Sequence, residues 1–222
     1  MGRIAERFSN RDTRQGIKRF LQPSIARVTQ KSKNIKFTDI FVGPYNLFAV
    51  NAIGEVFACG LNNYGQIGNG NISSLYHLEK IDSLSALNAD NGQTKMYIAS
   101  GEHHTLILSS NGDVYSLGRS DYGRLGLGPE AKECSHPTRI ETLANLDIKS
   151  VACGLAVSFA VSNSGDVYSW GMGTNLQLGS NTEEDILIPT LIKTKESYHF
   201  IAVSAGGQHT AILGNKNSCK SE

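Results

Sequence analysis

The side chains of this 222-residue chain best suited to bond chemistry are six histidines, four cysteines and twenty acids. Cys59, Cys134, Cys153 and Cys219 form no C-x-x-C pair, and no histidine stands at ligand spacing from any of them. Neither a zinc site nor a redox dithiol is therefore predicted. Cys59 and Cys153 sit in apolar, strand-like runs and are expected to be buried, reduced thiols, as in an intracellular protein. No G-x-S-x-G, H-E-x-x-H or phosphate-loop spacing occurs. Glu55, Asp113 and Asp166 each follow a turn glycine. A carboxylate that recurs in every copy of a repeat predicts a structural hydrogen bond, since a catalytic pair would be unique. No metal, no cofactor and no bond-breaking active site is expected.

Recognition chemistry is better represented. His104 and His209 occupy one position, three residues after a glycine, and Asn46 and Val157 occupy it in sister segments. A polar position that tolerates changes of identity is suited to binding specificity. The second candidate is the basic segment at the start. Between Met1 and Lys36 stand ten Lys or Arg against two acids, so the rest of the chain is acidic overall although the net charge is only +1. That balance makes DNA a weak candidate partner. Within the segment, Arg11 and Arg14 in N-R-D-T-R-Q-G, extended by Lys18 and Arg19, suit a carboxylate-lined partner, because guanidinium bonds carboxylate bidentately.

The elements that must position these residues follow from a repeat of about 50 residues. Gly54–Gly60 reads G-E-V-F-A-C-G, Gly112–Gly118 reads G-D-V-Y-S-L-G, and Gly165–Gly171 reads G-D-V-Y-S-W-G. Y-G-Q-I-G, Y-G-R-L-G and L-Q-L-G follow at the same offsets, from Tyr64, Tyr122 and Leu176. Upstream stand G-P-Y-N-L-F-A-V from Gly43, G-E-H-H-T-L-I-L from Gly101, G-L-A-V-S-F-A-V from Gly154 and G-G-Q-H-T-A-I-L from Gly206. Each unit predicts a hairpin of two inner strands, with a type I′ turn favoured at Asn111-Gly112. The apolar runs Met96–Ala99, Ile148–Ala152 and His199–Val203 are expected as outer or connecting strands. His104 then stands at the turn into the innermost strand, on one rim. Tyr64, Tyr122 and Trp170 are expected to pack in the core or between units.

One small sheet cannot bury both its faces, whereas units stacked face to face around an axis can. The expectation is an all-β chain forming part of a β-propeller: three full blades plus flanking strands. The expected division is 1–40 (the end of a preceding repeat with the basic loop), 41–98, 99–151 and 152–203 (repeats), and 204–222 (the start of a last strand pair, and a tail). No apolar run of 18 residues and no apolar signal core is present, so no membrane association is expected.

At the G-D-V-Y-S-L-G-R-S-D-Y-G-R-L-G-L-G, G-M-G-T-N-L-Q-L-G and A-G-G-Q-H-T segments the chain resembles the regulator of chromosome condensation family. R-I-A-E-R-F-S-N-R-D-T-R-Q-G resembles that family's middle. The resemblance implies a seven-bladed propeller and guanine-nucleotide exchange on the GTPase Ran, at chromatin in the nucleus. It implies that His104, His209 and Asn46 face Ran, and that Arg11, Arg14 and Arg19 bind the acidic patch of the histone dimer. It also implies that the chain covers only about the C-terminal half of the family protein, without the hairpin that wedges into the nucleotide site. The alternative is a propeller interaction module, binding histones or another partner, without exchange activity.

Overall fold

The computed structural model describes residues 35–88 and 95–217. Arg11, Arg14 and Arg19 lie outside them.

Three four-stranded antiparallel sheets follow one another, each built from consecutive strands. The first holds β1 (Phe37–Val42), β2 (Asn46–Asn51), β3 (Val56–Gly60) and β4 (Leu75–Lys80). The second holds β5 (Tyr97–Ser100), β6 (His104–Leu108), β7 (Val114–Gly118) and β8 (Cys134–Arg139). The third holds β9 (Ile148–Cys153), β10 (Val157–Ser162), β11 (Val167–Gly171) and β12 (Ile186–Leu191). A two-stranded sheet, β13 (Tyr198–Ala205) with β14 (Thr210–Lys216), ends the series. The chain is all-β, as expected.

The repeat is a repeat of geometry. Asn46 pairs with Gly60, His104 with Gly118 and Val157 with Gly171, at the same place in each central hairpin. The glycines Gly54, Gly112 and Gly165 have φ of 83°, 85° and 88°. Each donates its N–H three residues back, to Asn51, Ser109 and Ser162. Asn111 is not left-handed, so the turn is not type I′. It is a three-residue loop whose glycine carries the positive φ. A polar side chain closes it from within: the N–H of Glu55, Asp113 and Asp166 donates to Asn51 Oδ1 (2.8 Å), Ser109 Oγ (3.2 Å) and Ser162 Oγ (3.0 Å). The recurring acids are structural, as their repetition predicts. Glu55 pairs with Lys80 at 2.8 Å and Asp113 with Arg139 at 2.7 Å, each across its own sheet.

The radial order corrects the sequence reading. The first strands β1, β5, β9 and β13 contact one another in succession, so they line the axis. Cys153 Sγ on β9 donates to the Ala99 carbonyl on β5 at 3.3 Å. The runs expected as outer strands are therefore innermost, and His104 opens a second strand. The expected boundaries at 41, 99, 152 and 204 fall inside β1, β5, β9 and β13; each sheet begins one strand before its glycine.

The sheets stack through apolar faces. Phe48, Val56 and Ile67 of the first unit pack on Ile98, Ile107 and Leu117 of the second. Leu106 and Val114 pack on Val151, Ala160 and Trp170 of the third. Trp170 is fully buried, as expected for a core residue. Val157 and Phe159 meet Phe200, Val203 and Ile212 of the last sheet. At the ends of the described arc, Ile40 and Val42 on β1 and Ile201 and Leu213 on the last sheet stay open. Strands running outward from an axis, with face-to-face apolar seams, make the arc of a β-propeller.

Candidate docking rim

All the turns after the first strand, and all the long loops after the third, emerge on one rim. The turns are 43–45, 101–103, 154–156 and 206–209; the loops are 61–74, 119–133 and 172–185. The glycine ending the third strand holds turn to loop. Gly118 has φ of 108°, and a Cβ there would press on the His103 carbonyl, so the chain turns under its neighbour only without a side chain.

The expected site residues take three different fates. His104 is 0% exposed. Its Nε2 lies 2.9 Å from Ser158 Oγ on the third sheet, and Ser158 Oγ donates to the Arg124 carbonyl at 2.7 Å. The hydroxyl has one proton and gives it to that carbonyl, so His104 Nε2 must donate to the hydroxyl. Burial first, and then the Arg124 charge, hold the imidazole down to about 3, so it is neutral. Asn46 is also buried, with Nδ2 donating to the Leu61 carbonyl at 2.5 Å. Asn46 fastens its turn to its own loop and His104 fastens the second sheet to the third; both are buried, which corrects their expected place on the open rim. His209 is exposed, with its ring over Gly206. Val157, 1% exposed at the equivalent position, marks the site as inward in the third sheet too.

The residue before this position is at least partly open in three of the four copies: Tyr45 and Gln208 are exposed and His103 is partly exposed, while Ala156 at the same position is buried. The Tyr45 ring, 47% exposed, stacks on His103 with centroids 6.1 Å apart, and the Tyr64 ring meets His103 tilted, with centroids 5.0 Å apart. The Arg119 guanidinium lies 4.9 Å from the Tyr64 centroid, and its Nη2 bonds Asp121 at 2.5 Å. Arg124 lies 5.3 Å from the Tyr122 ring. Tyr64 is half-buried and packs between units, against His103 and Arg119 of the second, as expected, whereas Tyr122 is half exposed, which corrects the expectation for it. Burial, reinforced by Arg124 and Arg119, lowers the His103 imidazole below its ordinary value against the pull of Glu102. The result is an aromatic platform edged by guanidinium groups, a surface composition typical of protein-binding hot spots. Its signal in the sequence was the pair His103-His104, which a strand aims in opposite directions.

Desolvation pushes the Cys153 thiol up to about 12, which leaves it protonated and unreactive in the seam. Among the described residues no cluster of His, Cys, Asp or Glu could hold a metal ion, and no helix is long and apolar enough to cross a membrane.

Known proteins match this architecture and its repeat. The RCC1-like domain matches residues 2–212. A regulator of chromosome condensation from Xenopus laevis is 44% identical over 98% of this chain, which covers 51% of that protein. The crystal structure of Prp20p from Saccharomyces cerevisiae, described together with its binding to Gsp1p and histones, superposes with a TM-score of 0.70 at 31% identity. That match covers 83% of this chain and 45% of Prp20p. A human E3 ubiquitin-protein ligase is 38% identical over 74% of this chain, covering 3% of the ligase. The chain thus spans about half the length of its regulator relative. The stacked hairpins and the repeat match over nearly the whole sequence lead to one conclusion: this chain belongs to the RCC1-like domain family.

Proposed function

We propose that this chain carries the GTPase-docking rim of a chromatin-associated guanine-nucleotide exchange factor for Ran, working in the nucleus. The observation that carries the reading is the platform of Tyr45, His103 and Tyr64 with Arg119 at its edge, in a chain 44% identical to a regulator of chromosome condensation. Prp20p, described with its binding to Gsp1p and histones, supports a small GTPase and histones as the partner classes.

Exchange needs no bond chemistry from the factor. A surface that binds the nucleotide-free GTPase more tightly than the loaded form speeds nucleotide release through that difference alone. In this reading His103 and His209 touch Ran, while His104 and Asn46 hold their turns rigid from within. Arg11, Arg14 and Arg19 grip the acidic patch of the histone dimer through forked hydrogen bonds. The second reading, an interaction module without exchange activity, is favoured by the ligase relative, which carries a similar segment within a different enzyme.

Release of labelled GDP from Ran tests the proposal, with this chain alone and with the N-terminal half of the Xenopus relative added. Exchange or tight binding that weakens at least about tenfold in His103→Ala plus His209→Ala supports docking through the rim. Nucleosome binding lost in Arg11→Ala plus Arg14→Ala, with Ran neither bound nor exchanged, selects the second reading.

A further inference from the structure

Gln66, Arg124 and Gln177 occupy one position in the three long loops. In two of them a glutamine does the same structural job: Gln66 Oε1 accepts the Tyr64 N–H at 2.9 Å and Gln177 Oε1 accepts the Asn175 N–H at 2.7 Å. Each amide closes its own loop. Arginine has no acceptor and cannot do this. Arg124 Nε instead donates to the Asp121 carbonyl at 2.9 Å. The fold therefore has a working solution at this position, used twice, that the second sheet sets aside.

What replaces it is a covered cation without a counter-ion. Arg124 is 2% exposed and forms no ion pair among the described residues. The Asp121 carboxylate belongs to Arg119, and Glu102 stands 3.7 Å from His103. A guanidinium taken out of water without an ion partner is costly. Its value falls below the usual range, through burial first and then Arg119. The half-exposed Tyr122 covers it at φ 61°, a left-handed backbone unusual for an aromatic residue. A left-handed tyrosine thus lies over a guanidinium without an ion partner, beside the aromatic platform.

We propose that Arg124 is the anchor for a single aspartate or glutamate side chain of the protein that docks on this rim. The inference rests on the docking reading above and specifies the chemistry of its partner. A carboxylate fits better than a phosphate: two acids already stand nearby, which disfavours a dianion, while the free guanidinium fork matches one carboxylate.

The test is Arg124→Gln, which installs the residue found in the other two loops and so is expected to fold and to melt no lower than the wild type. Two probes separate the inference from the reading beneath it. One is nucleotide-free Ran, measured by calorimetry. The other is a hexaglutamate peptide, with hexaglutamine as control, read by the Nε–Hε NMR signal of Arg124, assigned by its absence in the variant. The inference predicts Ran binding at least about tenfold weaker in Arg124→Gln, and an Arg124 signal that moves with hexaglutamate and not with hexaglutamine. It is overturned if Ran binds both proteins alike, or if hexaglutamate leaves the signal in place. Should the wild type not bind Ran at all, the docking reading falls, and the peptide titration still decides whether Arg124 receives a carboxylate.

Discussion

His104 and His209 stand at the same point of the same turn, yet one is sealed and the other open. The local geometry does not separate them: each ring lies over the glycine that starts its turn, Gly101 and Gly206. The neighbour does. The third sheet covers His104 and supplies Ser158 as a partner, whereas no described sheet lies beyond β13 and β14. The hydroxyl one residue on turns instead to the preceding unit, which is present in all three copies, and still differs among them. Thr105 Oγ1 donates to the Gln66 carbonyl at 2.8 Å and Ser158 Oγ to the Arg124 carbonyl at 2.7 Å, but the equivalent Thr210 Oγ1 is buried without a partner. In a stacked fold a side chain's role is set by the adjoining unit as much as by its own repeat.

The comparison predicts a ranked series of effects. Trp170 fills the seam beside His104, and its Nε1 donates to the Arg124 carbonyl at 3.0 Å. Trp170→Ala is expected to lower unfolding free energy by about 3–5 kcal/mol in urea titration. Gly118→Ala forces a side chain against the His103 carbonyl at positive φ, with an expected loss of about 2 kcal/mol. If either variant melts like the wild type, the packing of the second seam is misdescribed.

His104→Val, which copies the residue at the equivalent Val157, probes the acid limb. The folded imidazole is held at about 3 against an ordinary 6.5. Between these values the unfolded chain binds the proton and the folded chain does not, so stability is complete above 6.5 and falls as the pH drops. Wild type should lose up to about 1.4 kcal/mol per pH unit in that window relative to His104→Val. Parallel stability curves for the two proteins would show a solvated His104. The smallest effects separate the two hydroxyls: Ser158→Ala should cost about 1 kcal/mol, whereas Thr210→Ala, which removes no hydrogen bond, should stay within about 0.5 kcal/mol.

The hairpins were legible because their glycines and alternating apolar residues recur at fixed offsets. The loop type was not, since Asn111-Gly112 carries a strong type I′ signature while the actual closure depends on the polar residue before the loop, Asn51, Ser109 or Ser162. The axial strands were misplaced because β5 buries only Ile98 deeply; strands that touch each other along an axis need few apolar side chains. The burial of His104 is not legible because an apolar residue such as Val157 at the equivalent position fits surface tolerance as well as burial. The platform itself joins residues from two sheets, Tyr45 and Tyr64 from one and His103 and Arg119 from the next. No local pattern announces a contact between repeats.

The most direct test of the docking rim is carbethoxylation of the histidines, mapped by mass spectrometry, with and without nucleotide-free Ran. In the free chain His209 should be modified and His104 spared. With Ran bound, His209 should be protected and His104 unchanged. Equal modification of His209 in the presence and absence of bound Ran would contradict a GTPase-facing rim.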